Sequence, residues 1–276
     1  MKLLRLTCLA LPMLALCAHA SVLNTANAFG VLGASAVTNT GPSVVGQDLG
    51  VSPGTAITGF PPGIVLGTIH NNDAVAAQAQ ADALTGFNFL KGLALTQTLT
   101  GQDLGGLTLD PGVYFFASSA QMTGQLTLDF QGLNNQLIVF QIYSTLTTAS
   151  ASSVLVINPG TSDQVFWQVG SSATLGTTTA FYGSVIADAS VTLNTGATIN
   201  CGRAIALTAA VTLDTNTINT GNCVSSPPPP PTIPEPATLS LVSTGAIAAG
   251  AAAWNSTFAG LGFAGTLAAI RRKMRR

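Results

Sequence analysis

The chain has 276 residues, of which 47% are hydrophobic and 7% charged, with 9 Lys+Arg against 10 Asp+Glu. Two of the cations lie in residues 1–20 and five in the last six residues, which leaves Lys91 and Arg203 for everything between. A body so poor in cations cannot neutralise a phosphate backbone, so nucleic acid is excluded as a partner.

At the start, Lys2 and Arg5 precede an apolar run over residues 6–18 that closes on Ala18-His19-Ala20. A short apolar run behind basic residues and before a small-x-small site reads as a secretory leader, cleaved before Ser21. It is too short to span a bilayer. Residues 1–20 are therefore set apart from the fold, and Cys8 and Cys17 leave with them.

Residues 21–224 read as one domain rich in Thr, Gly, Ala, Ser and Val, with Val, Ile, Leu and Phe recurring in short strand-like runs. In its first half Gly46-Gln47-Asp48-Leu49-Gly50 and Gly101-Gln102-Asp103-Leu104-Gly105 are related blocks. Their equivalence marks Asp48 and Asp103 as turn residues rather than a catalytic acid and base. Between the blocks the pattern turns helical over residues 74–91, with N-cap candidates in His70-Asn71-Asn72-Asp73 and a packing stripe at Ala77, Ala81, Leu84 and Phe87. The helix is expected to lie along the side of the domain and cover apolar surface there.

The second half repeats itself about every twenty residues. Ala173-Thr174-Leu175-Gly176-Thr177, Val191-Thr192-Leu193-Asn194-Thr195 and Val211-Thr212-Leu213-Asp214-Thr215 follow strand-like runs at 165–167, 185–187 and 204–206. Ser144-Thr145-Leu146-Thr147-Thr148 fits with a longer connection, and Gln121-Met122-Thr123 more weakly. A strand-rich repeat of this length is one coil of a β-helix. Met122, Leu146, Leu175, Leu193 and Leu213 are expected to point inward, and the preceding threonines outward. Two exterior rows result: Thr145, Thr174, Thr192, Thr212, and three residues later Thr148, Thr177, Thr195, Thr215. Coils stacked ~4.8 Å apart would present these side chains at a regular spacing, and branching at Cβ would hold each methyl and hydroxyl in one orientation.

Toward the end, Cys201 and Cys223 are a matched pair in an oxidising compartment and are expected to form a disulfide. A linker at 225–232 is followed at 233–276 by Ile233-Pro234-Glu235-Pro236, an uncharged apolar stretch long enough for a transmembrane helix, and a tail of five cations. That order resembles the PEP-CTERM sorting signal of Gram-negative bacteria. The resemblance implies an exosortase-type partner, membrane anchoring and display at the cell envelope or beyond.

Five blocks in order resemble a family. Residues 33–41 and 46–54, Gly112-Val113-Tyr114, residues 165–170 and Leu193-Asn194-Thr195-Gly196-Ala197-Thr198 are similar to the ice-binding proteins of bacteria and fungi. The resemblance implies a mainly β fold, a discontinuous right-handed β-helix with one long α-helix packed alongside, and an ice crystal surface as partner. It also implies a Thr, Ala or Gly, any residue, Thr or Asn pattern, which Thr195-Gly196-Ala197-Thr198 fits, adding Thr198 to the candidate residues. No enzyme is expected: Lys91 and Arg203 do not make a polysaccharide lyase, and His70 is the one histidine beyond the leader, where capping is the commoner role. No cofactor or metal is expected, Cys201, Cys223 and His70 being too few for zinc. The other role open to such a face is that of a surface or biofilm-matrix adhesin gripping extracellular polysaccharide.

Overall fold

The computed structural model describes residues 21–219. The leader, Cys223, the linker at 225–232 and the segment at 233–276 lie outside the described residues. Among the described residues, short strands build three all-parallel sheets of nine, seven and eight strands around one core, with a single α-helix. None of the described helices is long and apolar enough to cross a membrane.

The coils do not stack in chain order. In the nine-stranded sheet Ile69–Asn71, Asp48–Val51 and Phe29–Gly33 form one end, and Phe29–Gly33 then abuts Ala204–Ala206, the last strand of this sheet in the chain. The sheet continues through Ser184–Ala187, Gln164–Val169, Leu137–Ile142 and Gly112–Phe116 to Gln97–Thr98. The chain thus starts in mid-stack, coils out to one end, is carried by the helix toward the other, and coils back to its start.

The inward row expected from the repeat is met: Met122, Leu146, Leu175, Leu193 and Leu213 are all buried in the core. Aromatic rings fill the middle of the stack. Phe140 lies on Trp167 with centroids 3.8 Å apart and planes 10° from parallel, flanked by Tyr114 and Phe181. The indole N–H, which would be costly unpaired in this interior, donates to Tyr182 O at 3.0 Å.

The helix α1, Ala74–Lys91, has the bounds expected of it. It covers the outer side of the nine-stranded sheet, where Val139, Phe166, Ile186 and Ile205 are buried beneath it. Strands covered on both sides read as continuous apolar runs, as 137–140 and 165–167 do. The packing stripe differs from the expected one: Ala76, Ala79, Ala83, Gly86, Phe87 and Leu90 are buried, whereas Ala77, Ala81 and Leu84 face solvent. Alanine lies on both sides of the helix, so hydropathy does not distinguish them. What decides is close approach, because a Cβ at Gly86 would sit 2.5 Å from Val22 O.

The N-cap is Asp73, whose carboxylate accepts from Ala76 N at 2.8 Å; His70 instead lies in a strand and meets Asp73 Oδ2 through Nδ1 at 2.7 Å. At mid-helix Asp82 accepts from Thr25 N at 3.0 Å and Thr25 Oγ1 at 2.5 Å, which ties the N-terminal segment to α1. The Ala76 amide and then His70 hold Asp73 below the ordinary 3.8, and the Thr25 hydroxyl does the same for Asp82. Carboxyls depressed by folding lend stability that is complete above their unfolded value and is lost as pH falls through the lower folded one. Acid titration below pH 3.8 is therefore expected to loosen α1, and Asp82→Asn to show less of that loss. Melting temperatures across the acid range check this; equal acid sensitivity in parent and variant would contradict it.

Asp103 acts beside a turn, accepting from Gly105 N at 2.7 Å, whereas Asp48 opens the strand Asp48–Val51. Each accepts a backbone N–H from the next coil, Thr68 N at 2.7 Å and Thr123 N at 2.9 Å.

Candidate functional site

Each strand of the seven-stranded sheet contributes one residue to an outward row. Backbone register places Gln121 beside Thr147, Thr147 beside Thr174, then Thr192, Thr212, Thr38 and Thr58 in succession. Six threonines from six neighbouring coils thus form an unbroken row, each exposed or half-buried. In parallel strands this row repeats at the coil spacing, ~4.8 Å.

Two residues earlier in each coil runs a second outward row. Backbone hydrogen bonds stack Ser119, Thr145, Ser172, Ser190 and Ala210, through Thr145 O, Ser172 O, Ser190 O and Ala210 O in turn. Ala36 and Ala56 continue it. None of the residues in either row is charged, so nothing on them imposes the strong hydration of an ammonium or carboxylate.

The expected rows map onto this face in part. Thr174, Thr192 and Thr212 lie in the continuous row. Thr145 does not: it belongs to the neighbouring row, where its hydroxyl donates to Ser119 Oγ at 2.8 Å. Thr147 takes the position expected for it. Leu146 pairs with Ala173 rather than Leu175, and a slip of two residues leaves every side chain on the same side of the sheet, so the inward–outward pattern cannot detect it.

The same slip corrects Thr148. It occupies an inward position level with Met122, is 3% exposed, shares a hydrogen bond of 2.8 Å with Thr179 Oγ1, and accepts from Gly176 N. It is a satisfied polar group inside the coil and presents nothing to solvent.

Thr177, Thr195 and Thr215 are exposed where the chain leaves the seven-stranded sheet, two residues beyond Leu175, Leu193 and Leu213. There the hydroxyls of Thr195 and Thr215 bind the Asp214 carboxylate. Thr198 belongs to the next face, the eight-stranded sheet, stacked between Ala180 and Thr217 and half-buried.

Thr38 and Thr58 were not among the expected residues, although Val37-Thr38 repeats the Val191-Thr192 and Val211-Thr212 pairs. They join the row because the first coils stack on the last, which a search for consecutive repeats does not reveal.

Such a surface has no acid–base or nucleophilic chemistry. The described residues include no group of three or more metal-capable side chains. Arg203 lies away from this face, held by Ser184 Oγ at 3.2 Å and Asn27 O at 2.8 Å, with burial lowering its pKa to about 10. What the face offers is methyls and hydroxyls on a rigid, uncharged, regularly spaced support, which can hold water in a repeating arrangement.

The sequence profile of the Ice-binding-like family matches residues 31–219. An ice-binding protein of Nostoc sp. (strain HG1) is 55% identical over 231 residues, spanning 83% of this chain and 85% of that one. The crystal structure of an ice-binding protein from the Antarctic ascomycete Antarctomyces psychrotrophicus is similar at a TM-score of 0.69 and 44% identity, over 72% of this chain and 98% of that one. An ice-binding protein from an Arctic yeast is similar at a TM-score of 0.65 and 29% identity, over 74% and 95%. With a profile match across nearly all the described coils and a close relative of similar extent, the chain belongs to the Ice-binding-like family.

Proposed function

We propose that the protein binds ice through the seven-stranded face, with Thr147, Thr174, Thr192, Thr212, Thr38 and Thr58 as the central contacts. The observation that carries this is their unbroken register over six coils. Ice recognition needs many weak contacts made at once at a fixed spacing, and a β-solenoid supplies the spacing through its backbone. The threonines supply the contacts, each with its rotamer fixed by branching at Cβ, so ordering them on the crystal costs little entropy. Thr145 flanks the row, Thr177, Thr195 and Thr215 form its rim toward the next face, and Thr198 extends it around that corner.

The family relatives named above are ice-binding proteins, which supports the reading over that of a matrix adhesin. Export through the leader, sorting through the Pro-Glu-Pro segment and display at the envelope belong to the same proposal, as does a Cys201–Cys223 disulfide fastening the last coil. The test is thermal hysteresis and ice-recrystallisation inhibition by the purified protein. Activity in both is expected; inactivity of a folded protein in both assays would overturn ice binding in favour of the adhesin role.

A further inference from the structure

The row beside the threonines changes character along the stack. Its first four members carry hydroxyls, Ser119, Thr145, Ser172 and Ser190, and its last three are Ala210, Ala36 and Ala56. The hydroxyls pair off, Thr145 Oγ1 with Ser119 Oγ at 2.8 Å and Ser190 Oγ with Ser172 Oγ at 3.0 Å. Coils are ~4.8 Å apart, so bonds this short draw two oxygens together and widen the gap to the next pair. The oxygens then repeat every second coil instead of every coil. They also satisfy one another, which leaves fewer free positions for water.

Alanine behaves differently. A Cβ is fixed by the backbone, so Ala210, Ala36 and Ala56 keep the single-coil spacing and form an apolar strip beside Thr212, Thr38 and Thr58. Within that threonine row Thr38 Oγ1 donates to Thr212 Oγ1 at 3.4 Å, a longer and weaker contact than the 2.8 and 3.0 Å pairs of the flanking row, so these hydroxyls are more easily turned to water.

We infer that the face is divided, and that its tight ice-contact half is the alanine-flanked one, built from Thr212, Thr38 and Thr58 with Ala210, Ala36 and Ala56. This rests on the ice-contact reading above and specifies it. The half straddles the join where Val211–Asp214 pairs with Ala36–Thr40, so the opening coils of the chain hold most of it. The hydroxyl-flanked half contributes fewer contacts per coil.

Two pairs of near-isosteric swaps test this with opposite expected signs. Ala210→Ser with Ala36→Ser extends the paired hydroxyls into the alanine-flanked half and is expected to weaken ice-recrystallisation inhibition about fivefold, the equivalent of one hydrogen bond. Ser172→Ala with Ser190→Ala extends the single-coil spacing and is expected to strengthen it. Changes of the same sign in both, of reversed sign, or in neither would overturn the division. A Thr192→Tyr, Thr212→Tyr variant measured alongside separates the two layers of argument. If it is inactive, any failure concerns the division alone; if it is active, the face itself is misassigned and the division falls with it.

Discussion

Tyrosine at both Thr192 and Thr212 is expected to abolish thermal hysteresis and ice-recrystallisation inhibition while leaving the fold intact. Both positions point outward from mid-strand, on adjacent coils in direct register, so a larger side chain there meets solvent and not the core. Each phenol would stand above the plane of the rows and hold a flat crystal away from the threonines on either side. The loss should therefore exceed the removal of two contacts, because neighbouring contacts close to the steric block are lost with them. A fall of on the order of tenfold or more is expected, as for residues central to an interface. Tyrosine at Ala77, exposed on α1, adds the same bulk on another side of the molecule and should leave activity unchanged. Equal activity in the parent and both variants would remove this face from consideration.

Trp167→Ala is expected to produce the largest loss of stability. The indole is fully buried, stacked on Phe140, tilted against Phe181, and hydrogen-bonded to Tyr182 O. Its removal deletes an inner ring of a four-ring aromatic column and leaves a carbonyl without its donor. The surrounding strands are fixed by hydrogen bonds to coils on both sides, so they cannot collapse into the gap. Substitutions of this kind cost about 3–5 kcal/mol. Chemical denaturation of parent and variant measures it. A cost near zero would mean that the core is plastic, which would also undermine the claim that the outer rows are rigidly spaced.

Local patterns were readable in the sequence to the extent that they depend on facing. The helix ends were legible because Asp73 is a strong cap and the composition changes abruptly at Ala74. The inward row at Met122, Leu175, Leu193 and Leu213 was legible because alternation in a strand directly encodes which side is buried. Features that depend on pairing were harder to read. Alternation is unchanged by a two-residue slip, so Thr145 and Thr147 could be exchanged, and Thr148 could be placed outside, without any visible conflict. The contribution of Thr38 and Thr58 was hidden for a different reason: the neighbour of Thr38 in space is Thr212, on the far side of the helix in the chain, and Thr58 joins the row only through Thr38. Nor could an alanine-rich helix reveal by hydropathy which of its sides packs. Gly86 marked that side, since only there can the backbone of Val22 approach so closely.

In the proposed function the threonine row meets ice directly. The most direct test is to grow a single ice crystal slowly from dilute, fluorescently labelled protein and measure what the crystal takes up. The parent is predicted to be incorporated on defined planes, the Ala77→Tyr variant to match it, and the Thr192→Tyr, Thr212→Tyr variant to be left in the liquid. Incorporation of the double variant on the same planes and to the same extent would contradict the account.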